Sequence, residues 1–247
     1  MRKLYRLITR IFKKEQFTAS AEAYDIWARS YDSQPDNLML VLDEQVFTEL
    51  LGMVKITGSS IVDLGCGTGR HWKKILDQAP QQLTGFDVSE NMLTMLQQKF
   101  PQAVTHVIHN NSLQPLADNS CDLLISTLTI AHIENAAAAL QEWSRVLKPG
   151  GSVIITDYHP IALGKGAKRT FKHDDKLVAI KNYVYPISNI ITMAKQLKLS
   201  SVRLIEKNID DSMRPYYEKQ DAIAVYEVWK GTPVIYGLLL IKPNDTV

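Results

Sequence analysis

Three glycines at alternating positions, Gly65, Gly67 and Gly69, close the run Ile61-Val62-Asp63-Leu64 and are followed at once by Arg70. A Cβ at any of the three would clash at positive φ or hold the main chain away from a ligand. The spacing therefore implies a turn whose bare backbone lies against a bound molecule. Twenty residues after Gly67, the apolar segment Leu83-Thr84-Gly85-Phe86 ends in Asp87. An acid at the end of a second strand suits the paired hydroxyls of a ribose.

Two adenosine-bearing ligands fit these features, a dinucleotide and S-adenosylmethionine. Dinucleotide turns run Gly-x-Gly-x-x-Gly/Ala, whereas here the third glycine arrives one residue early and Arg70 stands where a small residue is needed. Four segments then follow in order: VDLGCGTGR at 62–70, GFDVSENML at 85–93, PLADNSCDLLISTLTIAHIEN at 115–135 and EWSRVLKPGGSVIITD at 142–157. On these segments the chain resembles the class I S-adenosylmethionine-dependent methyltransferases, in the small-molecule branch called methyltransferase type 11. The resemblance implies an α/β, Rossmann-like doubly wound sheet of seven strands flanked by helices, its last strand antiparallel at the sheet edge. It also implies S-adenosylmethionine as cofactor and S-adenosylhomocysteine as product.

The elements that must position these residues alternate as a parallel sheet requires. Strands are predicted at 60–65, 82–87, 104–108, 122–127 and 151–157, with helices near 68–78, 89–99 and 136–147. Ser89 is a candidate helix start, and Lys148-Pro149-Gly150-Gly151 turns the chain back. Beyond the fifth strand, residues 168–185 suggest a hairpin that forms a lid, with Asp174-Asp175 at its turn. A helix at 187–199, a strand at 201–209, helix over most of 214–230 and a final strand at 233–242 complete the chain. One domain over 1–247 is expected: an N-terminal helical cap (1–53), a cofactor-binding core (54–159), and a substrate-side insertion with the C-terminal strands (160–247).

Composition narrows the class. Cys66 and Cys121 make no disulfide framework, and no eighteen-residue apolar stretch occurs, which points to a reducing cytoplasmic setting. Residues 1–14 hold six Lys or Arg and no acid, so a net charge of +2 for the whole chain leaves −4 on the rest. Leu4, Leu7, Ile8, Ile11 and Phe12 give that segment the spacing of a basic amphipathic helix, which packs on its own domain or contacts an anionic membrane surface weakly. The acidic remainder argues against nucleic acid. Oligomeric state is not encoded in any motif.

The resemblance assigns cofactor contacts residue by residue. Tyr24, Trp27 and Tyr31 share one helical face in a segment like the "YDxWAxxYD" stretch that folds over the cofactor in relatives. Tyr24 and Tyr31 are its cofactor-facing candidates. Asp63 matches the acid near the methionine amine, and its other role would be to hold the glycine turn through backbone amides. Gly65, Cys66, Gly67 and Gly69 form the turn, Asp87 takes the ribose, and Val88 and Met92 offer apolar contacts. The usual acid for the adenine amine falls at Asn110, followed by Asn111 and Ser112. That is a departure, because an Asn carbonyl accepts without charge assistance. Thr127, at the strand end where the acceptor side opens, is the last cofactor-binding candidate.

Methyl transfer is an in-line displacement in which alignment does most of the work. A base tuned near neutrality adds about 10²- to 10⁴-fold for a hydroxyl or carbon-acid acceptor. His132 and His159 follow the strands at 122–127 and 151–157 and are the candidates for it, with Tyr158, Tyr183 and Tyr185 as further lining residues. His106, His109, His132, His159 and His173 show no ligand spacing, so no metal is expected. The Asn/Asp-Pro-Pro-aromatic tetrad of nucleic-acid amine methyltransferases is absent. The reading is methylation of a small-molecule acceptor, oxygen favoured over carbon or nitrogen. The alternative is a non-catalytic S-adenosylmethionine-binding regulatory or scaffold protein. A nicotinamide oxidoreductase is disfavoured by the glycine spacing.

Overall fold

The computed structural model describes residues 16–33, 37–174 and 176–244. The basic segment 1–14, read above as an amphipathic helix, lies outside them.

Strands and helices follow in the order β1 (Gln16–Thr18), α1 (Ser20–Tyr31), α2 (Leu38–Leu51), β2 (Ser60–Leu64), α3 (Trp72–Leu76), β3 (Gln82–Asp87), α4 (Glu90–Lys99) and β4 (Val104–Val107). They continue with β5 (Cys121–Thr127), α5 (Ala136–Val146), β6 (Leu147–Tyr158), α6 (Pro160–Gly164), β7 (Thr170–His173) and β8 (Lys176–Ile180). The last are α7 (Ile187–Gln196), β9 (Ser200–Asn208), α8 (Arg214–Lys219), α9 (Ile223–Trp229) and β10 (Pro233–Ile241).

Seven strands form one sheet in the order β4-β3-β2-β5-β6-β10-β9. β2 pairs in parallel with β3 on one side and β5 on the other, so the strand order reverses there. A crevice outside the carboxyl ends of β2 and β5 is where such sheets bind ligands. Both faces of the sheet are covered. Val46, Phe47, Ile61 and Ile154 belong to the packed cluster on one side, and Val62, Phe86, Trp143 and Val153 to that on the other. This accounts for strands that read as continuous apolar runs.

β10 is antiparallel, as expected, but it is not the edge strand. It lies between β6 and β9 and pairs antiparallel with both. Its residues from Val234 to Leu240 are all buried, which an edge position under one covering layer would not provide. Gly237 allows this burial, because a Cβ there would meet Val46 Cγ1 at 2.3 Å and hold α2 off the sheet. The edge falls to β9, which exposes Val202 and Leu204.

Local chemistry sets the helix starts. Ser89 accepts from the amide of Met92 at 3.1 Å and begins α4, and Asn135 does the same for Ala138 at 3.0 Å in α5. The helix predicted over 68–78 shrinks to Trp72–Leu76, because positive φ at Gly67 and Gly69 keeps the chain in a turn until residue 71. The turn predicted at 148–151 becomes an irregularity inside the long β6, where pairing jumps from Cys121 with Leu147 to Leu123 with Ser152. The helix predicted over 214–230 divides at Asp221, which has φ of 52°.

The predicted hairpin is present as β7 and β8, and β1 adds to it in parallel, giving a small three-stranded sheet. Trp27 of α1 stacks on Phe171 of β7, ring centroids 4.7 Å apart. Cap helix and hairpin thus share one apolar cluster. Ser89 Oγ donates to Asp25 at 2.6 Å and Thr68 Oγ1 to Asp32 at 2.7 Å, which fastens α1 to the glycine turn and to α4.

Candidate functional site

A cavity of about 610 Å³ opens at the carboxyl ends of β2, β3 and β5. Its floor is the glycine turn. Phe86 O of β3 accepts from the amides of Gly65 at 2.7 Å and Cys66 at 3.1 Å, and Asp87 Oδ2 accepts from Gly67 at 2.8 Å. The other Asp87 oxygen takes the Ser89 amide at 2.9 Å.

The three glycines serve different purposes. At Gly67, φ is +51° and a Cβ would meet nothing within 4 Å, so the backbone lies open to the cavity. At Gly65 a Cβ would sit 2.1 Å from Thr129 Oγ1, and at Gly69 it would press on Leu96 and Trp72 at 3.0 to 3.2 Å. Gly69 does not line the cavity, which corrects its assignment as a ligand contact: its positive φ and the packing of α3 against α4 require glycine there. Cys66 presents its thiol to the core, since a Cβ on Gly85 would lie 2.7 Å from Cys66 Sγ. Burial pushes that thiol well above its usual pKa, so it is an inert packing group.

Asp63 borders a pocket of about 30 Å³ whose walls include Tyr31, Gly65, Gly67 and Thr127, all shared with the main cavity. Its Oδ2 accepts from Trp72 Nε1 at 2.8 Å, while its Oδ1 is buried without a hydrogen-bond partner. The amides of the turn go to Phe86 and Asp87, so Asp63 does not hold the turn. An orphaned buried carboxylate oxygen at this place is a ready acceptor for an ammonium group. Burial pushes both Asp63 and Asp87 up to about 6.

Val88, Met92, Asn110, Asn111 and Thr127 line the main cavity, as do Tyr24 and Tyr31 from α1. Asn110 Oδ1 accepts from the Ser112 amide at 2.8 Å, and Asn111 Nδ2 donates to Asn135 O at 3.2 Å. Ser112 is therefore corrected from ligand contact to turn partner, since its amide closes the Asn110 side-chain turn and it does not line the cavity.

The two histidines separate. His132 lines the cavity, its Nδ1 3.1 Å from Lys181 O and its Nε2 3.0 Å from Tyr24 Oη. The Arg169 guanidinium also contacts Nε2. Burial and that adjacent cation hold the imidazole well below its usual pKa, so it is neutral, with Nε2 accepting. His159 is not at the site. It caps α6 by accepting from Ile161 N at 3.1 Å through Nδ1, and its Nε2 lies 2.7 Å from Glu206 Oε1. Both ring nitrogens are committed away from the cavity, which corrects its assignment as a base. Tyr183 and Tyr185 also fall outside: Tyr183 N donates to Ala131 O at 2.7 Å and Tyr185 Oη to Ile133 O at 2.9 Å, bracing the 130–134 loop.

A second cavity, about 210 Å³, adjoins the first and shares Tyr24, Tyr31 and Leu128 with it. Arg169, just before β7, lines it. The guanidinium pairs with buried Asp157 at the end of β6, donates to Leu128 O and lies 4.5 Å from the ring centre of Tyr158. Burial opposes its charge, but Asp157 and the surrounding phenols hold its pKa above the usual value. Sequence reasoning placed Arg169 only in the hairpin and overlooked Asp157. The signal available for the latter was an acid ending a core strand, the same signal that found Asp87. His109, also unassigned, lines the main cavity.

With this geometry, residues 62–155 match the family described as a methyltransferase domain. That match and the relatives that follow are similarities to S-adenosylmethionine-dependent methyltransferases, for which S-adenosylmethionine is the cofactor. It is 30% identical over 193 residues to malonyl-[acyl-carrier protein] O-methyltransferase from a Marinomonas species, covering 76% of this chain and 66% of that one. It is 30% identical over 136 residues to demethylmenaquinone methyltransferase from Listeria welshimeri, covering 52% and 57%. The solved S-adenosylmethionine-dependent methyltransferase of Mesorhizobium loti superposes with a TM-score of 0.62 at 18% identity, over 79% of this chain and 96% of that one. The chain spans from about a third to about two thirds of the length of the curated relatives it matches. Among the described residues, no helix is long and apolar enough to cross a membrane, and no group of three His, Cys, Asp or Glu is arranged to hold a metal.

Proposed function

We propose that this chain transfers the methyl group of S-adenosylmethionine to a small-molecule acceptor, donor in the larger cavity and acceptor in the smaller. The observation that carries this is the wall the cavities share, Tyr24, Tyr31 and Leu128, because reacting groups must meet in line across one boundary. Asp87 would take the ribose hydroxyls and the free Oδ1 of Asp63 the methionine ammonium. Val88 and Met92 would face the adenine, with Asn110 and Asn111 at its edge. When bound, the donor supplies an electrophilic methyl on a positive sulfur, and the faces of Tyr24 and Tyr31 suit that cation.

No group at the boundary is tuned to remove a proton at neutral pH. His132 Nε2 already accepts from the Tyr24 phenol and is crowded by Arg169. Its role in this reading is to orient Tyr24. An acceptor that arrives as an anion needs no base, which keeps oxygen as the favoured nucleophile for a different reason than a catalytic histidine. One relative is named for an O-methylation and another for a demethylmenaquinone acceptor, so kinship alone does not select the atom.

The test is incubation with methyl-labelled S-adenosylmethionine and separate panels of small acids, phenols, quinols and amines. Label in an acceptor supports transfer. Tight binding of S-adenosylhomocysteine with no label leaving the donor in any panel would instead support a non-catalytic cofactor-binding protein.

A further inference from the structure

The smaller cavity has an unusual polar lining. Among the described residues it presents three phenols (Tyr24, Tyr31 and Tyr158), the cations Lys168 and Arg169, the hydroxyl of Thr170 and the amide of Asn37, and no Asp or Glu lines it. Asp157, which neutralises Arg169, is turned to other duties: it accepts from the amides of Ala131 at 2.9 Å and Tyr158 at 2.6 Å and does not line the cavity. Arg169 is 5% exposed, and its Nε–H has no hydrogen-bond partner among the described residues. A buried donor left without a partner is unfavourable, and an acceptor oxygen reaching it would relieve that cost. Trp27, Leu40 and Leu128 supply the apolar remainder of the wall.

We propose that the smaller cavity recognises an organic carboxylate and that Arg169, with the Tyr158 phenol beside it, is the specificity-determining group for a carboxylate-bearing acceptor. That the bound molecule accepts a methyl group rests on the function proposed above, whereas its binding does not. A cavity rich in donors, with no acid among the described residues that line it, favours a planar anion over a neutral amide or an amine, and a guanidinium matches a carboxylate better than a point charge does. Burial raises the pKa of all three phenols, so they stay protonated across the physiological range; the Tyr24 hydrogen is already given to His132 Nε2. The cation is held by Asp157 and Leu128 before any ligand arrives, so little ordering remains to be done on binding.

The test uses the full chain with S-adenosylhomocysteine present and titrates acetate, malonate and benzoate against acetamide, malonamide and benzamide. Binding is read by calorimetry and by the fluorescence of Trp27, with Trp27→Phe as the control for signal origin. At least one carboxylate is expected to bind tenfold or more tightly than its amide. Arg169→Met should abolish that preference, and Tyr158→Phe, which keeps the ring over the guanidinium, should weaken the carboxylate three- to tenfold. If Arg169→Met fails to fold, the Tyr158→Phe result decides. Equal binding of acid and amide, equal competition by sulfate, or an unchanged preference in Tyr158→Phe would overturn the inference. Failure of S-adenosylhomocysteine to bind would instead strike the methyl-transfer reading and leave carboxylate recognition to be judged on its own titration.

Discussion

The Asp87 carboxylate accepts the Gly67 amide hydrogen at 2.8 Å, joining the end of β3 to the centre of the turn that follows β2. Its second oxygen holds the Ser89 amide at 2.9 Å, so one side chain sets the turn and the start of α4 together. In Asp87→Asn only one oxygen remains to accept, and the amide must turn an N–H toward either Gly67 or Ser89. Weakening of S-adenosylhomocysteine binding by tenfold or more is expected by calorimetry, with a loss of about 1 to 3 kcal/mol in chemical denaturation from the unmatched amide.

Gly67→Ala and Gly65→Ala should fail in different ways. A methyl at Gly67 enters open space, so the cost to folding is the left-handed backbone, about 1 to 2 kcal/mol, while the cavity floor is raised against the ligand. A methyl at Gly65 meets Thr129 at 2.1 Å and adds a steric penalty to the same backbone strain. Thermal unfolding with and without S-adenosylhomocysteine separates them: Gly67→Ala keeps most of its melting temperature but loses ligand stabilisation, and Gly65→Ala loses both.

Asp63 and Asp87 are both pushed up to about 6 by burial. In the unfolded chain an Asp titrates near about 4, so between about pH 4 and 6 the folded protein holds more protons on these groups. Their contribution to stability is thus greatest below about pH 4 and is lost as pH rises through 6. Donor binding acts in the opposite sense, since an ammonium near Asp63 and hydroxyls donating to Asp87 favour the ionised acids. Binding should release protons near pH 6 and weaken about tenfold or more from pH 7.5 to pH 5. Calorimetry in buffers of different ionisation enthalpy reads the release directly, and its absence would show that these acids do not face the ligand.

His132 and His159 should be distinguishable by kinetics. Removing His159 deletes the cap of α6 and the partner of Glu206, so His159→Ala should lower stability by about 1 kcal/mol and leave kcat/KM within twofold. His132→Gln keeps an acceptor for Tyr24 and should reduce kcat less than tenfold, without moving the pH profile. Loss of a pH-rate limb in His132→Gln would make it a proton acceptor after all.

The glycine turn, Asp87 and the strand-helix alternation were legible because each is written in a short window, where apolar runs, glycines and caps act on near neighbours. What lay between distant segments was not. Arg70 was read as an obstacle to a dinucleotide, but its guanidinium reaches the buried Asp43 on α2, a pairing across 27 residues that spacing does not announce. The place of β10 inside the sheet depends on Gly237 meeting α2, and the addition of β1 to the hairpin depends on backbone pairing that three residues cannot signal. His159 was misread because a histidine after a strand looks the same whether it caps a helix or lines a cavity. Arg169 and Asp157 stand only twelve residues apart, yet they meet through the return of the chain into the hairpin.

In the proposed reading the cavity over Gly67 and Asp87 takes the methyl donor. Titration of S-adenosylhomocysteine into the full chain and into Asp87→Ala tests it most directly. One-to-one binding by the full chain is expected, weakened by tenfold or more in the variant while the fold survives. Binding of equal strength in both would contradict it, as would no binding by a folded full chain.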